Sequence, residues 1–175
     1  IYTSSVHCRS ALNFNEDNYE ARILFAKIRM DGGFYPEALR YIYLDNIPDY
    51  IAPDYFAIRG VSQYKIGLYP QALQSFNTCE MYSNQFDSLY WYKANTCVAL
   101  KNMPEATKSM NLFLADKNHQ SKYAYMKIAD LYMEQKQYNE AYLYYDKLIT
   151  KKDFYSEALM KRGLCNYYLN KKEAA

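Results

Sequence analysis

Two rows of small residues recur through this chain at one fixed interval. Ala38, Ala72, Ala106 and Ala141 close the segments Tyr35-Pro36-Glu37-Ala38, Tyr69-Pro70-Gln71-Ala72, Met103-Pro104-Glu105-Ala106 and Tyr138-Asn139-Glu140-Ala141, so the steps are 34, 34 and 35 residues. Ala175 follows another 34 later, at the end of Lys172-Glu173-Ala174-Ala175. Twelve residues ahead of each alanine stands a second small residue, Ala26, Gly60, Ala94, Ala129 or Gly163, in the same register. A period of this size is the signature of a stack of small units, each burying its apolar face against its neighbours.

Spacing inside a unit is helical. Phe56, Gly60 and Tyr64, then Ala72, Phe76 and Cys79, recur at intervals of three and four, which places each set on one helix face. Each unit therefore reads as two helices. Asp31-Gly32-Gly33, Gly67, Lys101-Asn102 and Asn170 fall between them and supply the left-handed conformation that ends a first helix. Pro36, Pro70 and Pro104 sit just inside second helices, where the missing N–H costs nothing, and Asp87 and Ser121 suit the N-caps of two first helices. With only 5 Gly and 5 Pro among 175 residues, a chain of many short strands is disfavoured. The small rows let antiparallel helices approach closely, and aromatics such as Tyr69, Phe76 and Tyr145 fill the space beside them.

This pattern resembles the tetratricopeptide repeat, a helix-turn-helix unit of 34 residues with an aromatic at position 4, small residues at 8 and 20, and an aromatic near 24. Phe56, Tyr90 and Tyr125 stand at position 4, Tyr35, Tyr69, Met103 and Tyr138 at 17, and Phe76, Met110 and Tyr145 at 24. The chain departs from the pattern at Arg22 and Leu159, at position 4, and at Arg59, Lys93 and Arg162, at position 7. Basic side chains there are expected to lay their stems on the core and send the charge to water. The resemblance covers the whole chain and implies an all-α, right-handed superhelical solenoid. Residues 1–18 read as the second helix of a truncated repeat, 19–52, 53–86, 87–121 and 122–155 as four full units, and 156–175 as a first helix with the start of a second. Because Ile1 opens the sequence and Ala175 falls inside a helical pattern, the chain reads as a segment of a longer protein.

Composition removes several functions. A formal charge of +2 lacks the footprint of a duplex nucleic-acid binder, and no run approaches the roughly 18 apolar residues that span a bilayer. Cys8, Cys79, Cys97 and Cys165 show no CxxC spacing and fall on positions expected to be buried, which argues for packing over a metal or redox role and slightly favours a reducing cytoplasm. The Tyr- and Asn-rich closing repeat also resembles repeats of bacterial cell-envelope proteins. His7 and His119 are the two histidines, and Ser62-Gln63-Tyr64-Lys65 has SxxK spacing without companion motifs, so no catalytic constellation is expected. Asp130 and Glu134 lie one turn apart and read as a solvated face more readily than a cation site. No cofactor or metal is expected.

What the resemblance implies for function is a protein-protein interaction scaffold. In that family first helices line a concave groove through positions 2, 5, 9, 12 and 13, occupied here by Asp54, Ala57, Val61, Tyr64 and Lys65, by Ser88, Trp91, Asn95, Val98 and Ala99, by Tyr123, Met126, Asp130, Met133 and Glu134, and by Glu157, Met160, Leu164, Tyr167 and Tyr168. This row is unusually apolar for a surface, and Trp, Tyr and Met suit binding hot spots. Tyr64, Lys65, Trp91, Asn95, Tyr123, Met126, Asp130, Met160 and Tyr167 are the candidate contacts for a partner peptide or helix. The Lys and Asn positions of a chaperone-tail clamp are not reproduced at Ile23, Lys27 and Ile58, nor at Ala57, Val61 and Tyr92. Two rivals remain, a single-stranded RNA reader stacking bases on Tyr and Trp, and a regulatory domain of an enzyme encoded outside these residues.

Overall fold

A computed structural model describes residues 18–83, 88–150 and 155–173. Helix α1 spans Tyr19–Asp31, α2 Tyr35–Leu39, α3 Ala52–Lys65, α4 Tyr69–Tyr82, α5 Leu89–Ala99, α6 Met103–Ala115, α7 Lys122–Glu134, α8 Tyr138–Thr150 and α9 Tyr155–Glu173. No strand occurs among the described residues. The chain divides into two compact units, one reaching to Leu100 and the other starting at Lys101.

The helices begin where local chemistry satisfies their free amides. Asn18, Asn102 and Ser121 each accept a hydrogen bond from the backbone N–H three residues on, at 2.9, 3.4 and 3.2 Å. Pro36, Pro70 and Pro104 stand in the first turns of α2, α4 and α6. Asp87 lies outside the described residues; Ser88 precedes α5 without capping it through its side chain.

First helices end in one recurrent way. Gly33, Gly67, Lys101 and Lys136 take positive φ of 79°, 82°, 58° and 59°, and they are spaced by the repeat interval. Phe34, Leu68 and Gln137 then donate back to the carbonyls of Arg29, Gln63 and Tyr132 at 2.8–2.9 Å, closing the helix end in a left-handed cap. Each of these turns is three residues long: 32–34, 66–68, 100–102 and 135–137. Asn170, expected to end a first helix in the same register, does not: α9 runs through it to Glu173. Nothing in Asn170-Lys171-Lys172-Glu173 blocks helical propagation.

Small residues sit at the crossings as the pattern requires. Ala26, Ala38, Ala72, Ala94, Ala106, Ala129 and Ala141 are fully buried. At Gly60 the fit is tightest, since a methyl group there falls 2.5 Å from Cε1 of the fully buried Phe76. Gly163 differs. It is exposed, and a methyl group there meets nothing within 4 Å.

The first pair departs from the two full helices that the period suggests. Helix α2 has five residues, after which Arg40, Tyr41 and Ile42 donate to the carbonyls three residues back, a tightening that ends the helix. Tyr55 and Arg59 of α3 hold the backbone that follows: the Tyr55 hydroxyl accepts from the Leu44 N–H at 2.8 Å, and Arg59 Nη1 donates to the Leu44 carbonyl at 3.2 Å. Pro48, lacking an N–H and fixing its own φ, opposes any resumption.

The position-7 cations do not go to water as expected. Arg59 pairs with Asp45 at 2.6 Å, Lys93 with Glu80 at 2.5 Å, and Arg162 with Asp146 at 2.5 Å, in every case a carboxylate that precedes the cation by 13 to 16 residues. Lys93 is the most enclosed, its side chain 7% exposed. Arg22, at position 4, is buried with its guanidinium 5.3 Å from the Tyr43 ring centroid.

Thermal or urea unfolding tests these placements. Gly60→Ala should lose about 1–2 kcal/mol because Phe76 has no room to retreat, whereas Gly163→Ala should gain about 0.5–1 kcal/mol from helix propensity alone. Lys101→Gly and Lys136→Gly should each stabilise by about 0.5–1 kcal/mol by relieving a side chain from left-handed backbone. Glu80→Ala should cost about 1–3 kcal/mol by leaving Lys93 enclosed without that carboxylate, and Lys93→Met in the same background should recover most of the loss.

Candidate functional site

The candidate contacts lie on first helices, and each compact unit presents its own set. In the first, Tyr64 packs its ring between Tyr69 and Tyr92, with centroids 5.9 and 5.7 Å away, and Lys65 extends its ammonium to 5.9 Å from the Tyr92 centroid. Trp91 is half-buried, and Asn95 turns back on its own helix, donating to the Trp91 carbonyl at 2.8 Å. Ala57 and Val61, counted with the surface row on sequence grounds, are buried and belong to the core. Lys27 and Asp54 join α1 to α3 through an exposed ion pair of 3.0 Å.

In the second unit α7 and α9 meet along a ladder of contacts. Lys161 donates to Asp130 at 2.8 Å and to Glu157 at 2.9 Å, and lies 4.0 Å from the Met126 sulfur. One turn on, Cys165 and Met133 bring their sulfurs to 3.2 Å. Asp130 also accepts from the Tyr145 hydroxyl at 2.6 Å, which together with burial pushes that phenol's pKa upward. The structure thus assigns Asp130 an internal task, tying α7 to α8 and α9, beside its place on the face. Lys161 holds both its partners despite partial burial, which by itself would lower its pKa; the two carboxylates outweigh that and raise it.

Around this ladder the apolar side chains are open to solvent. Tyr123, Met160 and Tyr167 are 62%, 61% and 59% exposed. Met160, Leu164 and Tyr167 follow helical spacing and make one stripe on α9, with Glu157 at its start. Tyr167 meets Tyr168 edge-on at 5.5 Å, and Tyr168 stacks on Tyr138 at 4.9 Å. Tyr92 and Lys161, both at position 6, belong to these faces although the position rule used on the sequence omits them; their signal was their register beside Ile58 and Lys127.

Residues weighed for chemistry have structural surroundings. Cys79, Cys97 and Cys165 are buried, and burial lifts the Cys79 pKa to about 11; Cys8 and His7 lie outside the described residues. His119 stacks on Phe113 at 4.3 Å in the short 3₁₀ turn Lys117–His119. Ser62 is fully buried while Lys65 is exposed, so the SxxK spacing brings no nucleophile to a base. Among the described residues no group of three or more His, Cys, Asp or Glu side chains is placed to hold a metal ion, and no helix is long and apolar enough to cross a membrane.

Comparison with known proteins agrees with this architecture. The sequence model of the tetratricopeptide repeat matches residues 123–151. No curated protein matches the sequence significantly. Among solved structures, YrrB, described as a tetratricopeptide-repeat protein with an unusual peptide-binding site, superposes with a TM-score of 0.73 at 16% identity over 95% of this chain and 85% of its own. MamA superposes at 0.70 and 17% identity, over 92% of this chain and 88% of its own. A tetratricopeptide repeat protein from Parabacteroides merdae gives 0.67 and 16% identity, over 97% of this chain and 67% of its own. A fold of this kind supports protein-interaction scaffolds in general. Residues 123–151 match the model of the tetratricopeptide repeat, and the chain that carries them has the helical-pair fold of solved tetratricopeptide-repeat proteins.

Proposed function

We propose that this chain is an interaction scaffold that binds a partner peptide or helix on its first-helix faces. The observation that carries the reading is the stripe of open apolar side chains beside the α7–α9 ladder, where Tyr123, Met160 and Tyr167 are each more than half exposed. Large flexible or aromatic side chains on a rigid helical base offer wide contact at small entropic cost. The ladder beneath supplies that rigidity, since Lys161 and Asp130 fix the two helices at one spacing. In the first unit Trp91 and the Tyr64–Tyr92 pair continue the same chemistry.

RNA stacking remains the less favoured reading, because a formal charge of +2 gives phosphates little to bind. Placing a photo-crosslinking amino acid at Tyr123 or Met160 should label a protein in extracts of the source cells, whereas the same group at the exposed Leu143 on α8 should not. With the labelled partner in hand, Tyr123→Ala and Met160→Ala should each weaken binding by about 2 kcal/mol if they are hot spots, with helicity unchanged. Labelling only from Leu143 would move the site to the second-helix face, and ribonuclease-sensitive labelling would favour RNA.

A further inference from the structure

A cavity lies between α3 and α4, with Asp45 of the segment after α2 at its rim. In the next pair, the position-7 and position-11 side chains Lys93 and Cys97 are buried. The corresponding residues of α3, Arg59 and Gln63, line this cavity of about 210 Å³ in the first unit. Gln71, Gln74 and Thr78 of α4 complete its polar wall, and Phe56 its apolar one. The larger cleft of the second unit, about 520 Å³ between α6 and α7, has already spent its donors internally, Gln135 on Thr107 at 2.6 Å and Asn111 on Tyr132 at 3.0 Å.

In the smaller cavity the donors are not spent. Gln63 is 7% exposed, and its carbonyl oxygen accepts from the buried Ser75 hydroxyl at 2.7 Å, so its orientation is fixed with Nε2 left over. That nitrogen has no acceptor among the described residues. Arg59 is held through Nη1 alone, by the Leu44 carbonyl and by Asp45 at the rim, which leaves Nε and Nη2 without acceptors as well. Asp45 is 84% exposed and neutralises one edge of the guanidinium only. These donors remain available to a ligand that enters the cavity. A guanidinium fork beside a primary amide matches the two oxygens of a carboxylate.

We propose that this cavity is a carboxylate-binding site, built by Arg59 and Gln63 with the Gln71 and Gln74 amides at its sides. It is independent of the first-helix faces. The carboxylate belongs either to a free small acid or to an acidic side chain of a bound peptide, two sources with one chemistry.

Titration calorimetry on the whole chain, with succinate in one arm and a short acetylated, amidated peptide bearing a single Glu in the other, tests the assignment. Saturable binding of either is expected, weakened about tenfold or more by Arg59→Lys, which keeps the charge but loses the fork, and by Gln63→Met. Binding should be unchanged by Lys27→Ala, on the opposite first-helix face. Melting curves show whether each variant is folded, and Gln74→Leu at an exposed position gives a further reading if Arg59→Lys unfolds. Binding of succinate alone assigns the site to free acids, and binding of the peptide alone assigns it to a partner chain. Failure of both, equal binding of the neutral succinamide, or equal loss in Lys27→Ala would overturn the proposal.

Discussion

A benzyl ring resting on bare backbone, Phe76 against Gly60, sets the distance on which the first unit depends. At that separation the two helices of the pair bury their facing stripes, and Ala129 with Ala141 repeats the condition within the second unit. Every other feature accommodates it. The left-handed cap returns the chain at the right angle, the proline starts the second helix at once, and the aromatic at position 24 fills what the small residues leave open.

Tyrosine carries much of what lies between the crossings. Its rings fill the core while its hydroxyls are led to specific partners: Tyr55 to the Leu44 amide, Tyr145 to Asp130, and Tyr144 and Tyr132 to the two ends of the Asn111 amide. Burial pushes the Tyr55 hydroxyl up to about 12 and raises Tyr144 and Tyr145 as well, so those three act as neutral hydrogen-bonding partners across the ordinary pH range. A chain with 22 tyrosines thereby gains both packing volume and directional ties between elements.

The helical pairs were legible because their signals are local: small residues in register, proline at a helix start, glycine at a left-handed turn. Lys101 and Lys136 were harder, since nothing in a lysine announces positive φ; the repeat interval alone places them. What the sequence hid depends on contacts between distant residues. The shortening of α2 rests on Tyr55 and Arg59 capturing Leu44, and the position-7 cations find carboxylates 13 to 16 residues upstream whose own positions shift from unit to unit. The candidate face was partly legible: Tyr123, Met160 and Tyr167 are open as the position rule suggests, Ala57 and Val61 are not, and Asp130 is engaged by Lys161, whose reach no spacing reveals.

Turns within pairs and connections between pairs obey different rules. Among the described residues the turns between a first and a second helix are each three residues long, whereas the connections 40–51 and 116–121 differ in length. The single 35-residue step fits this division, since a 3₁₀ turn at Lys117–His119 occupies the connection that precedes α7. Among the described residues, length varies in the connections and not in the turns. Insertions and deletions can accumulate in such connections without disturbing a helix crossing, so new loops, and the cavities they border, can be added there while the packed pairs stay as they are.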